Sequence, residues 1–149
     1  MALISVTRLH LRSVRYLLPF SWHTFGSARQ ARRASGFLGG WLAGDAAGGS
    51  WTITAWRDEA AMRAYRNTAA HFRAMPKLLN WCDEASVVHW QQDGPTLPDM
   101  TEASRRMVAE GRVSKVNHPS PAHAAKRIVA QIPRPALGLK PTARRLSAP

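Results

Sequence analysis

SWTITAW (50–56), RDEAAMRAYRNTAAHFRAMPKLLNWCDE (57–84) and ASVVHWQQ (85–92) follow one another as strand, capped helix and strand. In the first piece Trp51, Ile53 and Ala55 alternate with Thr52, Thr54 and Trp56, the period of two that a strand gives its side chains. Asp58 then stands where a helix N-cap is wanted, and Glu59 lies in the favourable first turn. Ala61, Met62, Tyr65 and Ala69 follow at helical spacing. The helix is expected to loosen at Asn67 and Thr68 and to resume near His71. Pro76, having no N–H to donate, must break or kink the second piece or begin a last turn of its own. Residues 85–91 alternate once more, Ser86, Val88 and Trp90 against Ala85, Val87 and His89.

Upstream, residues 6–13 read as a half-buried strand. Val6, Arg8, His10 and Arg12 share one face, and Thr7, Leu9, Leu11 and Ser13 the other. Pro19 and Phe20 open a helix expected to run to Ser35, with Gly36 as its stop. Phe20, Thr24, Ala28, Ala31 and Ser35 form its inner face, and Arg29, Arg32 and Arg33 a solvated one. Residues 37–43 suit a second strand, weakened or bulged at Gly39 and Gly40. GDAAGG (44–49) is a turn by composition, so the second and third strands make a hairpin.

The order is βαββαβ, a ferredoxin-like α+β arrangement. Its simplest packing lays both helices on one face of a four-stranded antiparallel sheet. A sheet cannot leave large apolar side chains in water over its whole other face, so a homodimer closing two such faces is expected. After Pro95 the composition changes. Residues 1–94 are read as the domain and 95–112 as a short helical extension, starting at Thr101 and stopping at Gly111. Residues 113–149, rich in Pro, Ala and basic side chains, are read as a disordered tail.

The chain has 149 residues, 45% hydrophobic, with a formal net charge of +12. That is room for one ordinary domain and an appendage. The only cysteine is Cys82, which rules out a disulfide framework within one chain and fits a reduced, cytoplasmic setting. No apolar run is long enough to span a membrane as a helix. No GxGxxG, phosphate loop or GxSxG occurs, so nothing supports a nucleotide cofactor or a serine nucleophile. His118 and His123 lack the spacing and carboxylates of a zinc site, and no metal ligands are assigned.

The stretch WTITAWRDEAAMRAYRNTAAHFRAMPKLLNWCDEASVVHW resembles the antibiotic-biosynthesis-monooxygenase-like and spheroidene-monooxygenase-like proteins of the dimeric α+β barrel superfamily. The likeness is carried by a strand ending in Trp56, the acidic helix start at Asp58 and Glu59, Met62 and Tyr65 within the helix, and His71 with Met75 and Pro76 downstream. It covers about residues 3–92. It implies a pocket between sheet and helices, or within a barrel, for a hydrophobic or aromatic small molecule, worked either without a cofactor or with haem.

Cofactor-free oxygenation needs a base to ionise the substrate, a cation or donor to hold the resulting anion, and a dry aromatic pocket. His71, His10 and Tyr65 are the catalytic candidates, with His71 as base or haem ligand. Arg8 and Arg12 are candidates to clamp an anionic substrate and Trp56 to form an aromatic wall. The alternative for the first strand is an edge kept basic against sheet extension; for Trp56 and Tyr65 it is core packing. His89 reads as a satisfied core histidine. The expected function is therefore a monooxygenase-like protein acting on an aromatic substrate. The alternative is a non-catalytic dimeric ligand-binding module whose basic tail touches nucleic acid or another anionic partner non-specifically.

Overall fold

The computed structural model describes residues 1–142. Four antiparallel strands form its centre, β1 (Ala2–Leu11), β2 (Phe37–Gly44), β3 (Gly49–Trp56) and β4 (Cys82–Gln92), in the order β4-β1-β3-β2. This is the ferredoxin-like arrangement expected of two βαβ halves. Two further strands extend it to six: β5 (Arg112–Val113) beside β4, and β6 (Arg134–Leu139) beside β2.

Helices α1 (Leu17–Arg33), α2 (Glu59–Arg66) and α3 (Ala69–Trp81) lie on one face. Ala28 and Ala31 of α1 and Ala61 and Met62 of α2 pack on Leu3, Phe37 and Trp56. Asp58 caps α2 as its position predicts, its carboxylate accepting from the Ala61 N–H at 2.8 Å. Helix α1 begins at Leu17, before Pro19, since proline is tolerated in a first turn. Helix α3 runs unbroken through Pro76. The carbonyl that Pro76 leaves without a donor belongs to Phe72, and both residues are exposed, so water can take the place of the missing N–H.

The opposite face is not bare. Ile4, Val6, Trp51, Ile53, Val88 and Trp90 lie beneath Ala103 and Met107 of α4 (Met100–Glu110), with Leu97, Met100 and Ile128 packed at the margin. The Arg106 guanidinium sits 4.8 Å from the Trp90 ring centroid. The chain itself covers the surface on which two subunits were expected to close, so the physical reason for expecting a dimeric chamber there is gone.

Nor do residues 113–142 form a disordered tail. Residues 113–142 form part of β5, the short helix α5 (Pro121–Ala124) and β6. They are fixed by buried Val116, His123, Pro133 and Leu139 and by backbone pairing along β2. Composition argued for disorder because these anchors are isolated among prolines and cations, yet each finds a seat on a preformed sheet. Residues 143–149 of the expected tail lie outside the described residues.

Candidate functional site

The two faces of the sheet differ in kind. Under α4 the side chains are apolar and sealed. Facing α1–α3, the sheet presents Ser5, Thr7, Thr52, Val87 and His89, all half-buried. This layer of hydroxyls and imidazole is not closed off from solvent, unlike the face behind it.

Above it stand three of the residues singled out from sequence. Trp56, at the end of β3, stacks on Tyr65 of α2 with ring centroids 5.0 Å apart, and Tyr65 lies 4.8 Å from the His71 ring at the start of α3. The turn between α2 and α3 folds His71 back so that its Nδ1 lies 3.2 Å from the Arg66 carbonyl. A carbonyl can only accept, so Nδ1 carries the proton and donates, which leaves Nε2 with its lone pair. Burial, assisted by the Arg66 charge, holds the His71 pKa below that of an ordinary imidazole despite this hydrogen bond. The Tyr65 hydroxyl donates to the Ser27 carbonyl at 3.1 Å, and burial raises its pKa well above the usual phenol range. Tyr65 is therefore a fixed, neutral wall and not a base. Burial, then the charges of Arg112 and Arg66, also keeps His89 below the ordinary value.

A cleft of about 730 Å³ opens between α1 and α2, lined by Arg29, Gln30, Arg33, Arg57, Tyr65 and Ala69 among others. Sequence reading placed Arg29 and Arg33 on a solvated face; they are exposed, and they also crowd this cleft. Gln30 was missed altogether. Its side-chain nitrogen donates to the Tyr65 and Thr68 carbonyls, while its oxygen accepts from the His71 N–H, so one amide splints the break between α2 and α3. Nothing distinguishes a glutamine in mid-helix until the neighbouring helix is in place.

Among the described residues no histidine, cysteine or methionine lines the cleft, and the Tyr65 hydroxyl is already engaged. The cleft thus offers haem no fitting axial ligand. Ala69, at the cleft and at the first position of α3, has φ of 52°. That left-handed conformation costs a residue with a Cβ on the order of 1 kcal/mol. Ala69→Gly is expected to raise the urea midpoint by a stability gain of roughly 0.5–1 kcal/mol, with an unchanged slope.

The cations of the first strand do not join this group. Arg8, 6% exposed, lies on the α4 side of the sheet. Its Nε donates to Asp45 and its Nη1 to Glu84, each at 2.7 Å. His10 has its two ring nitrogens against the Asp83 carboxylate (2.6 Å) and the Ala47 carbonyl (3.0 Å). Arg12 follows a register shift in β1 and donates to the Asn80 carbonyl and to the Tyr16 hydroxyl. Nor is β1 an edge, since it lies between β4 and β3. His10, Asp83 and Glu84 bring possible ligand atoms within 4.8 Å of one another. Each already has a protein partner: Ala47, His10, and Arg8 with Ser120, respectively.

No protein-family model matches the chain, and no curated protein matches it. Solved structures do. SnoaB, a cofactor-independent oxygenase from Streptomyces nogalater, is 17% identical, with 66% of this chain and 98% of that one covered at a TM-score of 0.52. An antibiotic biosynthesis monooxygenase is also 17% identical, over 62% of this chain and 99% of the other, at 0.55. A conserved protein from Methanosarcina mazei Go1 is 11% identical over 62% and 94%, at 0.56. The fold is that of the antibiotic-biosynthesis-monooxygenase structures. At these identities the likeness establishes the monooxygenase-like fold alone, and this chain is longer than each of the three by the part they do not match. Among the described residues no helix is long and apolar enough to cross a membrane.

Proposed function

We propose that the chain is a cofactor-independent oxygenase of the monooxygenase-like fold, acting on an aromatic small molecule that can lose a proton. The observation that carries this reading is the Trp56–Tyr65–His71 stack, in which the imidazole has one nitrogen pinned and the other without a hydrogen-bond partner among the described residues. His71 Nε2 takes a proton from the substrate, and the conjugated anion passes one electron to dioxygen. Superoxide and the substrate radical combine to a peroxide anion, which the His71 imidazolium protonates to the hydroperoxide. Loss of the second hydrogen of that carbon together with hydroxide, as water, converts the ring CH2 to a carbonyl. One dioxygen is consumed and one water released, so no external reductant is required.

The test is oxygen uptake with anthrones and quinols. His71→Asn keeps a donor for the Arg66 carbonyl and removes the lone pair of Nε2. It is expected to lower kcat about 10²- to 10⁴-fold, the usual contribution of a general base, with little change in KM. An unchanged rate in this variant removes His71 as base. No uptake by the native chain across the panel overturns the oxygenase reading and favours a ligand-binding module using the cleft between α1 and α2.

A further inference from the structure

We propose that the outer face of α1 and α3 docks on an anionic lipid surface. Leu18, Trp22 and Phe25 stand at i, i+4 and i+7 on α1, 82%, 79% and 60% exposed. Val14 and Leu17 extend the exposed set toward the N-terminus, and Phe72 and Met75 do so from α3. The helices run antiparallel, with Gly26 beside Ala70 and His23 against Lys77 and Trp81. These side chains take no part in the three buried clusters that hold the fold together.

Charge identifies the occupant. Arg15 just ahead of α1, Arg29 on α1, and Arg73 and Lys77 on α3 are exposed, and neither helix contains an aspartate or glutamate. The first acidic residue of the chain is Asp45, whose carboxylate is spent on buried Arg8. A second copy placed on this face would bring cation against cation with no carboxylate from either helix to pair them. Lipid phosphates would pair with each cation. The two helices are in close contact, a Cβ added at Gly26 lying 3.7 Å from the Ala70 Cβ, so the exposed side chains of both belong to one surface. Tryptophan and phenylalanine flanked by basic side chains, on a helix too polar to span, is the pattern of a segment lying in the membrane interface. This inference is independent of the chemistry assigned to His71.

The test is co-sedimentation of the full chain with vesicles of phosphatidylcholine, alone or mixed with phosphatidylglycerol. Binding is expected to the mixed vesicles, much less to phosphatidylcholine alone, and to fall as salt is raised. L18S/W22S is expected to lower the partition coefficient by roughly tenfold or more, because each side chain contributes buried apolar area in the interface. Its circular dichroism should be unchanged, since both positions are exposed in the fold. A chain lacking residues 143–149 is expected to stay bound. The proposal is overturned if the native chain fails to sediment with either vesicle, if L18S/W22S binds equally well, or if only removal of 143–149 abolishes binding. Sedimentation equilibrium supplies a further check: a dimer that L18S/W22S dissociates would make a second copy the occupant and also overturn it.

Discussion

A chain ended at Gly94 is expected to associate or precipitate, whereas the full chain stays a single folded subunit. Removing residues 95–149 uncovers Ile4, Val6, Trp51, Ile53, Val88 and Trp90, which α4 and its neighbours now seal. Burying one such side chain contributes on the order of 1.5–3 kcal/mol. The cover as a whole therefore matches the entire stability of a typical domain, about 5–15 kcal/mol. An apolar sheet face of that kind must find another surface, and the like face of a second truncated chain is the nearest candidate. Light scattering after gel filtration reads the outcome, and a monodisperse truncated monomer with native circular dichroism would refute it. Met107→Ala is the milder form: Met107 is fully buried against this face, and its truncation should cost about 2–5 kcal/mol without changing oligomeric state.

This expectation rests on the part of the chain that was hardest to read. The strand at 50–56 and the capped helix after it were legible because their signals are local: alternation of period two, an aspartate at the cap, apolar residues at helical spacing. From these the βαββαβ order and the fold follow. Local signals say which side chains share a face but not what lies over it. Arg8 was correctly grouped with Val6 and His10, yet its partners Asp45 and Glu84 are 37 and 76 residues away. The C-terminal segment failed for a related reason. Val116, Ile128, Pro133 and Leu139 have no period among themselves and become anchors only against a sheet formed elsewhere. Of the residues singled out from sequence, Trp56, Tyr65 and His71 lie together, and each has a local signature: a strand end, a helix face and a helix break. Gln30 and the cleft arginines depend on how α1 meets α2, which no short stretch encodes.

Arg8→Met is expected to destabilise the protein by about 3–5 kcal/mol, because it leaves a buried carboxylate without its cation. The Asp45 side chain is wholly inaccessible. Its two oxygens take hydrogen bonds from Arg8 Nε, the Trp51 indole, and the Ala47 and Gly49 N–H groups at 2.7–3.0 Å. The turn is built for this: Gly48 has φ of 83°, and a Cβ at Gly49 would collide with the Asp45 carboxylate and with Arg8. Burial alone would raise the pKa of Asp45. The donors, with Arg8's charge, outweigh burial and hold it at about 2, against 3.8 for a free side chain. Because the folded pKa is depressed, the stabilisation is complete above the unfolded value near pH 4 and is lost as pH falls toward 2. It amounts to about 2 kcal/mol at 1.36 kcal/mol per unit. Urea midpoints should therefore fall across that window in the native chain and fall less steeply in D45N. R8M/D45N should recover part of what R8M loses, since the orphaned charge is then gone. Equal pH slopes in the native chain and D45N would show that the carboxylate is not held in its ionised form by this network.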